Sequence, residues 1–424
     1  ANPTGPINIV SGRAAAVGDA LVNLLNAVGY DAIREYYVND AGRQIRLLGE
    51  SVSARYMELL GKEETFPEEG YHGEYIRDLA NEIISEYGEK FASVEHHQRC
   101  AEFSTLALEK LLSSQRKVLA DFRVDFDLWF RESKLRLSNA HTEVFDALSE
   151  KGYVYEKEGA QWFKSSRFGD EKDRVLITRE GEPTYFLVDI AYHVDKYKRG
   201  FEQLYDLWGP DHHGYINRVK AALVAMGYPK GSFEVNIIQQ VNLLEGGEVI
   251  KMSKRAGKII EMKELIDEVG VDVARFFFVA RRSQSQLDFD MDLAKNTSEE
   301  NPVYYVQYAH ARICNIMRHA EEQGYTLPDR ADLTVLTTEE ESTLIKKLSQ
   351  FPDVVSQAAK FLEPHRIPNY LKELAADFHR FYHHHRVVTE NKALTEARLI
   401  LIQCARIVLA NGFRLLGISA PERM

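Results

Sequence analysis

The sequence predicts an α/β protein: a doubly wound parallel sheet carrying a connective insertion, followed by a separate all-α bundle. Three observations support this. Short apolar runs alternate with helical patterns over about the first sixty residues and again from about Tyr185 to Gly247. Between them, the Pro- and Glu-rich segment Glu63 to Glu69 opens a stretch of amphipathic helices and hairpin-like strands, about 62–180. From Asn296 onward apolar residues recur at three- and four-residue spacing with no strand pattern. Two domains are therefore expected, 1–295 and 296–424.

The first unit organises the rest. A turn-forming run, Asn2 to Pro6, leads into an apolar strand over Ile7 to Val10 and a helix from Ser11 to Gly29. The unpaired N–H groups and positive dipole end of such a helix start suit phosphate. A second strand is expected over Asp31 to Val38, then a turn at Asn39-Asp40-Ala41-Gly42 and a helix to about Gly61. In the insertion the patterns predict helices over Tyr75 to Tyr87, Cys100 to Phe122 and Ser133 to Lys151. Strands at Gln161 to Phe163 and Val175 to Thr178 would pair as hairpins. The parallel pattern resumes with a helix over Ala191 to Phe201 and a strand, Gln203 to Trp208, ending at Gly209 to Gly214. A helix (Tyr215 to Met226), a strand (Phe233 to Val241) and the turn at Glu245-Gly246-Gly247 follow. The bundle would comprise Val303 to Met317, Thr343 to Phe361, Ile367 to Val388 and Glu396 to Leu416.

Composition narrows the function classes. The 424 residues are 45% hydrophobic and 11% aromatic, enough for a large core. No run of 18 apolar residues and no signal-peptide pattern occur, so a cytoplasmic protein without a membrane span is expected. The chain starts without Met directly on its first unit, and residues upstream are expected. Cys100, Cys314 and Cys404 lie far apart without metal-ligand spacing, and no metal site is predicted from them. A net charge of −11 argues against indiscriminate nucleic-acid binding. It leaves room for a protein that reads one folded RNA through a local basic surface.

Several residues point to chemistry. Lys251-Met252-Ser253-Lys254-Arg255, with Gly257-Lys258 behind it, sets two lysines and a serine on a loop downstream of the second half-sheet. That suits the transient charge of a triphosphate losing pyrophosphate. A guanidinium is planar, permanently charged and rich in donors, so a site for it needs a carboxylate and an aromatic face. Tyr185 and Asp189, four apart, would share one side of a helical turn. His379 and His383-His384-His385 offer metal-capable spacing, but beside Phe378, Phe381 and Tyr382 they read as a polar or RNA-facing stripe. Tyr304, Tyr308, Arg312, Arg380, Arg386 and Arg414 could stack on or clamp bases of an RNA.

These motifs, in order, resemble the class I aminoacyl-tRNA synthetases and among them the arginyl-tRNA synthetases. The resemblance rests on Ala1 to Pro6, Ala15-Ala16-Val17-Gly18-Asp19-Ala20, Tyr37 to Gly42, Asp211-His212-His213-Gly214-Tyr215, Lys251 to Lys254, and Tyr304 to His310, and so spans nearly the whole chain. It implies a Rossmann-like catalytic domain, an anticodon-binding bundle and a small N-terminal domain ahead of Ala1. It also implies ATP with Mg²⁺, L-arginine and tRNA(Arg) as substrates and partners, and a monomer. By the same resemblance Asn8, Ser11, Lys251, Met252, Ser253 and Lys254 would bind ATP, with Asn8, Ser11, Lys251 and Lys254 catalytic. Asn2, Tyr185, Asp189, Asp211 and His212 would bind arginine, and Tyr304, Tyr308, Arg312 and Arg386 the tRNA. One departure stands out: where the family usually carries His-Ile-Gly-His, this chain reads Asn8-Ile9-Val10-Ser11. Asn8 and Ser11 still offer neutral donors, whereas Val10 fills space a ligand would approach. Either the enzyme works with a variant motif, which the intact lysine loop and arginine pocket favour, or the chain is a tRNA-binding paralogue with impaired adenylation. A small-molecule nucleotidyltransferase of the same superfamily is disfavoured by the large bundle.

Overall fold

The computed structural model describes residues 2–250 and 260–424. Helix α1 (Ile9–Ala27) starts two residues earlier than the pattern suggests, because Asn8 is its N-cap. Asn8 sits in extended backbone (φ −87°, ψ 167°) and its side-chain oxygen accepts from the Ser11 N–H at 2.9 Å. Such a cap stabilises a helix by about 1 kcal/mol. The strand expected over Ile7 to Val10 is therefore absent. What remains of it is a single antiparallel bridge between Asn8 and Glu261, with the Met262 N–H donating to the Ile7 carbonyl at 2.7 Å.

Strand β1 (Glu35–Val38) is followed by α2 (Arg43–Leu59), entered through Gly42 at φ +84°, a value that glycine reaches without strain. Helices α3 (Glu74–Tyr87) and α4 (His96–Asp121) pack with α2 around Leu48, Tyr56, Ile83 and Phe103. Next comes a strand that the sequence reading missed, β2 (Leu128–Arg131), parallel to β1 with Glu35 opposite Leu128. Helices α3 and α4 thus belong to a crossover between neighbouring parallel strands. The helix expected over Ser133 to Lys151 is two, α5 (Glu132–Leu137) and α6 (Ala140–Glu150), broken at Asn139 in the left-handed region (φ 56°) that its short polar side chain tolerates.

Strands β3 (Val154–Lys157), β4 (Ala160–Phe163) and β5 (Arg174–Ile177) form the expected antiparallel hairpins. Helix α7 (Tyr185–Lys198), capped by Thr184, begins six residues before Ala191, the start expected from the pattern. It leads to β6 (Leu204–Trp208), which runs parallel to β7 (Phe233–Ile237) through the crossover helix α8 (Ile216–Met226). The strand expected over Phe233 to Val241 ends at Ile237, and a new one, β8 (Val241–Glu245), starts at Val241. Between them the Gln239 carbonyl accepts from Arg13 at 3.0 Å and its N–H donates to Ser283 at 2.9 Å. β8 pairs with the short β9 (Glu248–Val249), and on its other side with β10 (Leu287–Asp290), reached through α9 (Met262–Val269) and α10 (Val271–Ala280).

After α11 (Met291–Lys295) come the bundle helices α12 (Pro302–Glu322), α13 (Glu339–Ser349), α14 (Phe351–Lys360), α15 (Arg366–His384) and α16 (Lys392–Leu416). α16 is the one helix among the described residues long and apolar enough to cross a membrane, with half of its most apolar window buried inside the protein. One continuous core runs from Val17 and Leu24 of α1 through Phe276 and Phe289 to Phe378 and Phe413 of the bundle. At its centre Arg275, fully buried, donates to the carbonyls of Leu416 (2.8 Å), Phe122 (2.9 Å) and Arg123 (3.0 Å) and to the carboxylate of Asp19. Arg34 completes the joint by donating to the other Asp19 oxygen at 2.7 Å. Gly417 closes it: a Cβ there would come 2.2 Å from an Arg275 nitrogen.

Candidate active site and RNA-binding face

A cleft of about 1190 Å³ opens between the first turns of α1, strand β1, helix α7 and the end of β6. Asn2, Ser11, Asp189, His193, Asp206 and His212 all line it, so residues 210 apart in the chain meet in one place. Ser11, one turn into α1, makes no side-chain hydrogen bond among the described residues. Asn8 uses its oxygen as the helix cap, which leaves its amide N–H₂ as the group able to donate. Val10 lines the cleft and packs partly into the main core. The glycine this turn requires is Gly12, where a Cβ would stand 2.2 Å from the Met262 sulfur. Lys251, Met252, Ser253 and Lys254 lie outside the described residues. The chain on either side of them is pinned, Ile250 to Leu243 at 2.8 Å and Met262 to Ile7 beside the α1 cap.

The acidic groups of the cleft fall into two kinds. Asp206 takes His193 Nε2 and Lys196 Nζ at 2.8 Å each and Trp208 Nε1 at 3.2 Å, and these partners hold it far below the usual carboxylate range despite its burial. Asp189 has no ion pair. Burial pushes its pKa up to about 6, only partly opposed by the nearby His193 and the Tyr215 hydroxyl. Around it stand Tyr37, Tyr215 and Glu132, whose electrostatic influence it shares. The Tyr215 hydroxyl is buried beside the Asp189 carboxylate and interacts with it, and burial followed by the Asp189 charge raises its pKa. Glu132 is 2% exposed and accepts from Arg136 Nε at 2.6 Å. A partly buried carboxylate with no ion pair, set among aromatic rings and beside a tyrosine hydroxyl, is complementary to a guanidinium.

Not every residue expected at the arginine end lines the cleft. Asn2 does, exposed, its amide donating to Gln44 at 2.8 Å. His212 does, also exposed. Tyr185 lies at the rim instead, 62% exposed, with its hydroxyl over Gly42 and the Arg136 guanidinium 5.8 Å from its ring. As the first residue of α7 it lacks the preceding turn that would turn it inward. Asp211 sits exposed in the helical turn before α8, outside the cleft lining. Sequence reading missed Glu132, Tyr37 and the His193–Asp206 pair. His193, one turn beyond Asp189 on α7, was the legible one, since its Nδ1 bonds the Asp189 carbonyl at 2.7 Å.

The bundle carries a second concavity of about 440 Å³, bordered by Tyr305, Arg312, His379, Tyr382 and Arg386. Tyr304 and Tyr308 stack on one face of α12 with ring centres 6.0 Å apart, and Arg312 donates to the Tyr308 hydroxyl at 2.6 Å while lying 4.5 Å over its ring. Tyr304, Tyr308, Arg312 and Arg386 thus share a region. The histidines near it show no metal geometry: Arg312 stands 3.5 Å from His379, and His385 bonds Glu340 at 2.9 Å.

Residues 5–315 match the family described as tRNA synthetases class I (R), catalytic domain, and residues 306–424 the DALR anticodon binding domain. The chain belongs to the arginyl-tRNA synthetases. Relatives named arginine–tRNA ligase from Desulforamulus reducens and Bacillus subtilis are each 49% identical across all of this chain, which spans 76% of their length. A Campylobacter jejuni structure assigned as an arginyl tRNA synthetase superposes with a TM-score of 0.91 at 37% identity, covering all of this chain and 92% of that one. An arginyl-tRNA synthetase of Thermus thermophilus shares the fold, with a TM-score of 0.77 at 23% identity, over all of this chain and 81% of that one. In this family setting the Asn8 to Ser11 stretch keeps its helix start and loses its two expected imidazoles.

Proposed function

We propose that the chain joins L-arginine to tRNA(Arg) at the expense of ATP, as an arginine–tRNA ligase. The arginine carboxylate attacks the α-phosphorus of ATP and pyrophosphate leaves, giving arginyl-adenylate. A terminal ribose hydroxyl of the tRNA then attacks the activated carbonyl and AMP leaves. The observation that supports arginine most directly is Asp189, a partly buried carboxylate in the cleft that forms no ion pair. The phosphates would lie at the α1 start, where Ser11 and the Asn8 amide donate as neutral groups alongside free backbone N–H groups. Lys251 and Lys254 would stabilise charge on the departing pyrophosphate, with Met252 and Ser253 between them. Rate acceleration comes chiefly from positioning and charge stabilisation.

Mg²⁺ enters as the ATP complex. Carboxylates of the cleft such as Asp19, Glu35 and Asp206 are committed to Arg34 and Arg275, to Arg199 and to Lys196, so they do not fit a resident magnesium site. The ion rides on the phosphates. Residues 1–295 do the chemistry, the stretch 62–180 supports it, and 296–424 hold the anticodon through Tyr304, Tyr308, Arg312 and Arg386. The enzyme works as a monomer in the cytoplasm. Arginine-dependent exchange of pyrophosphate into ATP, measured with tRNA(Arg) present, tests this reading. Exchange is the expected result. Tight tRNA binding without exchange would instead support the paralogue that has lost adenylation, for which Val10 in the cleft wall is the motive.

A further inference from the structure

We propose that Glu64, His96 and Cys100 form a binding site for a single zinc-like divalent cation, clamping the loop after α2 to the start of α4. The three offer a carboxylate, an imidazole and a thiol whose ligand atoms all lie within 4.8 Å of one another. His96 and Cys100 stand one turn apart on α4, with the sulfur 3.6 Å from His96 Nε2. The same nitrogen is 3.5 Å from Glu64 Oε1. A tetrahedron with metal–sulfur bonds of ~2.3 Å and metal–nitrogen or –oxygen bonds of ~2.0–2.1 Å has edges of roughly 3.3–3.6 Å. Two of the three edges are therefore set to metal dimensions before any ion arrives.

The carboxylate is held the way a metal-binding carboxylate is held. Its side chain is 8% exposed, with one oxygen paired to Arg99 and the other accepting from the Ser53 hydroxyl at 2.6 Å, while Arg99 Nε donates to Ser53 at 2.9 Å. Such an outer ring of donors fixes ligand orientation. The carboxylate and the thiolate together neutralise a dication, and Arg99, paired with the second Glu64 oxygen, leaves the site with one net positive charge. Cys100 is buried, whereas His96 is 58% exposed, which gives an entry path and leaves the fourth position to water. On binding, the S–H bond breaks, its proton passes to solvent, and a sulfur–metal bond forms with no change of oxidation state. The cluster lies apart from the cleft, since none of the three lines it.

Cobalt(II) serves as the spectroscopic probe. Titrating the full chain with Co²⁺ should produce a near-ultraviolet thiolate-to-cobalt band saturating at one equivalent and bleached by Zn²⁺. Cys100→Ser should abolish the band, and His96→Gln, at an exposed position that leaves the core untouched, should weaken cobalt affinity at least tenfold with an unchanged circular dichroism spectrum. Absence of the band in the parent would overturn the proposal, leaving the 3.6 Å contact as a thiol–imidazole hydrogen bond. A band that survives in Cys100→Ser, arising from the exposed Cys404, would overturn it equally.

Discussion

The joint between the sheet and the bundle and the cleft beside it both bury charge, and they treat it in opposite ways. At the joint Arg275 spends its donors on three carbonyls and Asp19, and Asp19 is shared with Arg34. In the cleft Asp189 has no ion pair, and only the Tyr215 hydroxyl and the nearby His193 oppose the cost of its burial. Burying an ion is costly, and a saturated pair makes a rigid structural element, whereas a carboxylate with no ion pair in a cleft is a candidate partner for a cationic ligand.

Breaking the joint should have the largest effect. Arg275→Met removes the cation while leaving Asp19 and three carbonyls buried, and should lower unfolding free energy by about 3–5 kcal/mol in denaturant titrations. A loss under about 1 kcal/mol would show that the joint is not what couples the two halves. The RNA face should come next. Arg312→Ala withdraws the cation from between the Tyr308 and Tyr382 rings, and a stacked base contact is worth about 1–3 kcal/mol. The KM for tRNA should therefore rise by roughly five- to a hundredfold with kcat for pyrophosphate exchange at saturating tRNA unchanged; an unaltered KM would remove that face from tRNA binding.

Acidity sharpens the contrast. Because the Asp189 pKa is raised to about 6, its proton must leave before a guanidinium can pair with it. Arginine Kd should be flat above about pH 7 and rise about tenfold per pH unit below 6. In the free protein the sign is opposite: a raised carboxylate binds its proton more tightly when folded, so its contribution to stability declines as pH rises from about 4 through 6. A Kd independent of pH down to 5 would contradict the assignment. The smallest effect belongs to the variant motif, where Ser11→Ala should slow adenylate formation by about tenfold and leave tRNA affinity intact. A full-rate alanine variant would take Ser11 out of the chemistry.

Much of this was legible in the sequence where local rules prevail. The alternation of strands and helices and the bundle's apolar spacing follow from periodicity, whereas the turn shared by Tyr185 and Asp189 was marked only by their four-residue spacing, since the pattern put the start of α7 six residues later. The misreadings share a cause. Asn8 reads as the second residue of an apolar strand, yet its side chain caps a helix, a competition that hydropathy does not register. β2 is four residues of half-buried chain whose strand character comes from its partner β1. Glu132 enters the site because β2 delivers α5 there, and Tyr185 leaves it because α7 starts at that residue. His96 and Cys100 share one turn of α4, but Glu64, in the loop after α2, joins them only through tertiary packing, so cysteine spacing alone could not reveal the cluster.

The measurement that bears most directly on the open carboxylate is the discrimination between arginine and its neutral isostere citrulline in the parent and in Asp189→Asn. The substitution keeps size and one acceptor and removes the charge. Loss of one member of such a buried pair costs about 2–5 kcal/mol. At about 1.4 kcal/mol per tenfold, kcat/KM for arginine should fall by roughly 10²–10³ while that for citrulline barely changes, so the ratio collapses. If Asp189→Asn keeps the parent's preference for arginine, the guanidinium is held elsewhere, and the reading of Asp189 as its partner is wrong.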